Sequence, residues 1–107
     1  MKRIKSNYHA LHVLKTADPK LRKAILKNAN SELILSIVEC ALNVLNGNCK
    51  ISECTKRKLG KHKKVLRDFC KKASISKKRK LVIQKGGFLI PLLSAILPSL
   101  ISLFTKK

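Results

Sequence analysis

The stretch Ser31–Leu45, SELILSIVECALNVL, decides how this chain is read. Leu33, Ile34, Leu35, Ile37, Val38, Cys40, Ala41, Leu42, Val44 and Leu45 place apolar side chains on most sides of a 3.6-residue helix. A helix that is apolar nearly all round belongs inside a protein, so this one is predicted to be the central, most buried helix. Its limits are marked. Asn30 or Ser31 can supply a capping oxygen. Asn46-Gly47 ends the run with a glycine free to take positive φ.

Working outward toward the N-terminus, Asp18-Pro19 is a second start signal, a capping carboxylate followed by proline at the first helical position. Leu21, Ala24 and Ile25 are its predicted apolar stripe. Before it, Asn7 is predicted to cap a short helix that carries Tyr8, Leu11 and Leu14 on one face. Toward the C-terminus, Ser52 or Thr55 is predicted to cap a further helix reaching about Lys72. Its stripe is Leu59, Val65, Leu66, Phe69 and Cys70, and Gly60 weakens it by roughly 1 kcal/mol relative to alanine. The fold class expected is all-α: a small bundle of three or four helices over residues 1–73, a basic linker over 74–85, and an apolar helical segment over 86–107. Leu81-Val82-Ile83 is read as extended chain within the linker.

Charge narrows the function classes. The 107 residues carry 25 Lys plus Arg against 5 acidic residues, a formal charge of +20. A chain this basic repels itself and is most compact when a polyanion neutralises it. Nucleic acid fits, because each phosphate neutralised by a cation releases condensed counterions; anionic membrane is the other candidate. The cations are mostly lysines, which act as point charges, whereas arginine forks are the better readers of base edges. Aromatics are limited to Tyr8, Phe69, Phe88 and Phe104, too few for a base-stacking platform on single strands.

Three segments concentrate the chemistry. Lys56, Arg57, Lys58, Lys61, Lys63, Lys64, Arg67, Lys71 and Lys72 form the predicted DNA-binding face of the helix before residue 73, with Asp68 the one acid among them. Like charges three and four apart are unfavourable in a free helix, so a phosphate backbone is the expected partner. Lys77, Lys78, Arg79 and Lys80 extend that set and also read as a nuclear localisation signal; Ser74 and Ser76 lie beside them, where phosphorylation would cancel part of the charge. The third segment is residues 86–105, GGFLIPLLSAILPSLISLFT, with no charge at all. Phe88, Leu89, Ile90, Pro91, Leu92, Leu93, Ile96, Leu97, Leu100, Ile101, Leu103 and Phe104 are its candidate membrane or self-association residues. Twenty uncharged positions can just cross a hydrocarbon core of about 30 Å. Pro91 and Pro98 are each expected to remove a helix hydrogen bond. The open alternatives are insertion into a membrane, packing on the bundle or on a second copy, and a short transmembrane anchor.

Catalytic and metal sites are not expected, nor is a cofactor. Asp18, Glu32, Glu39, Glu53 and Asp68 are scattered, and His9, His12 and His62 fall into no metal motif. Cys40, Cys49, Cys54 and Cys70 lack the paired spacing of a structural zinc site. Met1 to Ser6 is basic but no apolar stretch follows as in a signal peptide, which predicts a reducing compartment and free thiols. A Cys49–Cys54 or Cys40–Cys70 disulfide is the alternative.

Residues 77–104 carry a family resemblance. A basic run, then Gly86-Gly87, then Phe88-Leu89-Ile90-Pro91-Leu92-Leu93 and a second proline at Pro98 resemble the C-terminal part of the adenovirus core protein X precursor. They are more similar still to the counterpart in adintoviruses and Polinton-type elements, whose N-terminal region the helical half also resembles. The resemblance implies a virion protein whose basic part condenses the double-stranded DNA genome; the lysine-rich composition adds that binding is without sequence preference, and the Lys77–Lys80 run that the host nucleus is its location. The resemblance also implies contact with other virion proteins and a membrane-like apolar segment. Gly86-Gly87 is similar to the processing sites of the adenovirus-type cysteine protease; Gln84 stands where that site carries Met, Leu or Ile. Membrane association and a helix-turn-helix regulator are the rival readings.

Overall fold

The structure, a computed structural model, describes residues 2–47 and 51–105. Among them the chain is all-α, with eight α-helices and no strand. They are α1 (Lys2–Ser6), α2 (Tyr8–Thr16), α3 (Pro19–Lys27), α4 (Ser31–Leu45), α5 (Glu53–Gly60), α6 (Lys63–Cys70), α7 (Ile75–Gln84) and α8 (Leu89–Thr105), with one 3-10 turn at Gly86–Phe88. The bundle of three or four helices with an apolar helical segment is thus a coarser description than the eight helices seen among the described residues.

The boundaries follow local chemistry. Asp18 Oδ1 accepts the Leu21 amide at 2.8 Å and Asn30 Oδ1 accepts the Leu33 amide at 2.9 Å, each satisfying one donor that a helix N-terminus leaves unpaired. Gly47, at φ +68°, closes α4 in the left-handed region. Asn7 departs from its expected role. Its side chain makes no cap for α2 and instead donates from Nδ2 to the Arg3 carbonyl at 2.8 Å, finishing α1.

As the periodicity predicts, α4 is central. Leu33, Ile34, Ile37, Val38, Cys40 and Ala41 are buried, and α4 packs against α1, α2, α6, α7 and α8. Ser36, also buried, turns its hydroxyl back to the Leu33 carbonyl at 2.7 Å. The predicted stripe of α3 is rotated: Leu21 is half exposed and Ala24 exposed, while Leu26 is the buried residue. That orientation lets α3 lie on α7.

Two expectations need correction. The helix expected from residue 52 or 55 to 72 is broken at Lys61-His62 into α5 and α6. Gly60 ends α5, and the break sends the two stripes to different partners: α5 packs on α8, α6 on α4 and α7. The segment expected as a linker, with Leu81-Val82-Ile83 extended, is helical as α7. Ser74 caps it, its Oγ accepting the Lys77 amide at 3.2 Å. For the apolar segment the structure takes one of the open alternatives, packing on the bundle. Phe88, Leu89, Leu92, Leu93, Ala95, Ile96 and Leu97 are buried among the other helices, with Ile90 and Pro91 half-buried. Leu100, Ile101, Leu103 and Phe104 lie on the last turns of α8, and their side chains fall outside the described residues. α8 packs against α2, α4 and α5, so it is a second core helix beside α4. Pro91 stands in its first turn, where the missing N–H costs no helix bond. Pro98 lies inside the helix and is exposed.

Among the described residues no single helix is long and apolar enough to cross a membrane; α7 with the segment to Pro98 meets that test only as a pair bent by 76°.

Candidate polyanion-binding surface

The candidate cations are carried by α5, α6 and α7 and the turns between them. Ser52 starts α5, its Oγ accepting the Thr55 amide at 3.2 Å. With Leu59 turned into the core, Lys56, Arg57 and Lys58 are left exposed. The Lys61-His62 turn follows, with Lys61 exposed and His62 half-buried. A methyl added at Gly87 would meet His62 Cε1 at 3.4 Å, so the turn abuts the 3-10 segment.

In α6 the division is sharper. Leu66 and Phe69 are buried, Val65 and Cys70 half-buried, and Lys63, Lys64 and Arg67 exposed. Phe69 anchors the helix through a tilted contact with Phe88, ring centroids 5.5 Å apart. Burial pushes the Cys70 thiol above its ordinary pKa, with the Lys78 ammonium pulling the other way. The only ion pair seen among the described residues of this region is Lys71–Asp68 at 3.1 Å, both partly exposed. The surface therefore carries little compensating negative charge.

Two of the residues assigned to DNA binding and nuclear localisation do not belong to it. Lys78 is buried, and its Nζ donates to the carbonyls of Phe69 at 2.5 Å and Lys71 at 2.6 Å. These are carbonyls at the C-terminus of α6, where a cation is favoured by both hydrogen bonding and the helix dipole. Arg79 is half-buried; its Nη2 donates to the Ala29 carbonyl at 2.6 Å, tying α7 to the α3–α4 connection, and its buried Nε has no partner. Only Lys77 and Lys80 of the four-residue run are exposed. In the folded chain both side chains are already engaged with backbone carbonyls.

Other cations do not stand out in the sequence. Lys20, Lys23 and Lys27 are exposed on α3, a helix that packs against α7. Their spacing of three and four was the available signal. Arg22 is different: Nη2 donates to the Ala17 carbonyl at 2.9 Å and Nε to the Leu14 carbonyl at 3.3 Å, closing the end of α2. Arg3 is likewise engaged, by Glu32 at 3.3 Å and Glu39 at 3.8 Å.

Gly86 and Gly87 sit in the 3-10 turn that leads directly into α8, Gly86 half-buried and Gly87 exposed. Cys54 is an exposed free thiol and Cys70 a half-buried one, so the Cys40–Cys70 pairing is not formed; Cys49 lies outside the described residues. No group of three or more His, Cys, Asp or Glu is placed to hold a metal among the described residues. No family model, curated protein or solved structure matches the chain.

Proposed function

We propose that this protein is a non-enzymatic, sequence-indifferent binder of double-stranded DNA. It docks through Lys56, Arg57, Lys58, Lys61, Lys63, Lys64, Arg67, Lys72, Lys77 and Lys80, with α3 contributing Lys20, Lys23 and Lys27. One observation carries the reading: these cations are exposed on or between helices whose opposite faces are fixed in the core, with Asp18, Glu53 and Asp68 the acids nearest in sequence. A fixed array of like charges is self-repelling in the free protein and is relieved by a phosphate backbone. The mechanism is charge neutralisation, which lets neighbouring duplexes approach. The resemblance of residues 77–104 to core proteins of adenovirus and adintovirus type supports a place in the virion and host nucleus of such an element.

A second reading takes α5 and α6, two helices joined by the Lys61-His62 turn, as a helix-turn-helix. Its outward residues are mainly lysines rather than the Arg, Asn or Gln that pair with base edges, which favours backbone contact.

The test is a titration of full-length protein against unrelated duplexes across salt. Affinity should be equal among sequences and fall steeply with salt. Replacing Lys58, Lys61 and Lys64 together by alanine should reduce the logarithmic salt slope by about 2.7, at about 0.9 for each phosphate no longer neutralised. Sequence-selective binding would support the regulator instead. Leakage of anionic vesicles without duplex affinity would support membrane action.

A further inference from the structure

We propose that Ser74 is the phosphoacceptor of a basophilic serine kinase, and that its phosphate withdraws the α6–α7 corner of the surface from polyanions. The acceptor assignment stands on its own residues; the effect on polyanions rests on the function proposed above.

Lys71-Lys72-Ala73-Ser74-Ile75 places two cations three and two residues before a serine and an apolar residue after it. A kinase whose peptide cleft is lined with carboxylates reads such cations as point charges and seats the following side chain in an apolar pocket. The structure presents the segment in usable form. Lys71, Lys72, Ala73 and Ser74 are all exposed and lie between α6 and α7 rather than within either. The backbone is extended at Lys71 (φ −66°, ψ 154°) and again at Ser74 (φ −66°, ψ 157°), the conformation a peptide cleft accepts. The Lys71–Asp68 pair is an exposed one and yields readily to a competing carboxylate.

Other serines near cations are worse placed. Ser6 is within α1, its hydroxyl held by the Lys2 carbonyl at 3.1 Å, and Arg3 three residues before it is engaged by Glu32 and Glu39. Ser76 lies inside the first turn of α7.

In the reaction Ser74 Oγ attacks the γ-phosphorus of ATP. The bond from that phosphorus to the β–γ bridging oxygen breaks, ADP leaves, and the hydroxyl proton passes to a carboxylate of the kinase. The product adds a charge of about −1.5 to −2 beside Lys71, Lys72 and Lys77. The first turn of α7 contains no acid, so the phosphate meets no like charge there.

The experiment uses the full chain, Mg-ATP and the catalytic subunit of a basophilic kinase, with phosphopeptide mapping. A single phosphate on Ser74 is expected. It should be absent from Ser74→Asn, which keeps a capping oxygen, and retained by Ser76→Ala. A Lys71→Ala/Lys72→Ala variant should be modified roughly tenfold more slowly or worse, as removal of charge-assisted hydrogen bonds predicts. Phosphate on Ser6 or Ser76 instead, or a rate indifferent to the two lysines, overturns the assignment. The phosphorylated chain should bind duplex roughly tenfold or more weakly at moderate salt, since about two fewer phosphates are neutralised with release of their counterions. Unchanged affinity overturns the switch. An unmodified chain with no affinity for any duplex overturns the proposed function, and the mapping then still decides the acceptor.

Discussion

The Lys78 ammonium donates to the Phe69 carbonyl at 2.5 Å while standing 5.7 Å from the centroid of the same residue's ring. One side chain thus closes the C-terminus of α6 and packs over its principal core anchor. A lysine in the most basic part of the sequence is a structural clamp between α6 and α7.

Replacing Lys78 by methionine keeps much of the stem and removes the donors. The Phe69 and Lys71 carbonyls lose a charged partner, and bonds of that kind are worth about 1.5–3 kcal/mol each before compensation by water. A loss of about 2–4 kcal/mol in urea unfolding is expected, against about 0.5 kcal/mol or less for Lys77→Ala or Lys80→Ala. Equal effects at the three positions would remove the clamp.

Because α8 is part of the core, a chain ending at Lys85 should not fold. It lacks Phe88, Leu89, Leu92, Leu93 and Ile96, all fully buried. Circular dichroism and denaturant titration of residues 1–85 should show little cooperative transition. In the full chain, Leu92→Ala should cost about 2–5 kcal/mol. A truncated chain with native-like stability would return this segment to the status of a detachable tail.

Two glycines should respond oppositely to alanine. Gly60 has open space at its Cβ position and no positive φ, so Gly60→Ala should stabilise by about 0.5–1 kcal/mol. Gly47 holds φ +68°, and alanine there should cost about 1 kcal/mol. Thermal midpoints of the two variants, moving in opposite directions, are the check.

The thiols should separate in reactivity. Cys70 is half-buried with its pKa raised by desolvation, so its reactive thiolate is scarce at neutral pH. Exposed Cys54 should be labelled by a disulfide reagent well before Cys70. The raised pKa means that burial favours the neutral thiol. The associated stability is present below the unfolded pKa and is lost as pH climbs through the folded one. Faster labelling at Cys70 would contradict the packing of α6.

Parts of this architecture were legible in the sequence because they rest on local chemistry. Asp18-Pro19 and Asn30 announce helix starts through short-range hydrogen bonds, and the apolar run of α4 declares burial by its periodicity. The break at Lys61-His62 was not legible. Leu59, Val65, Leu66, Phe69 and Cys70 share one face of an uninterrupted helix; Gly60 marked only a weak point in it, and the separate packing of α5 on α8 and of α6 on α4 is tertiary. Tertiary context likewise hid Lys78 and Arg79, since no local pattern separates a lysine that finds buried carbonyls from its solvated neighbours. The apolar segment was ambiguous for a related reason: a lone uncharged run describes a core helix and a membrane helix alike. Most of the basic surface was readable, because exposed cations need no partner within the chain to be found.

The order of core elements along the chain has a consequence for biogenesis. Since α8 follows every helix it packs against, α2, α4 and α5 have no completed interior until its residues have been made. During synthesis the helices before it remain a loosely organised polycation. Such a nascent chain presents its cations before its own interior has closed, so on the function proposed above a polyanion would meet it during maturation as well as in its final state.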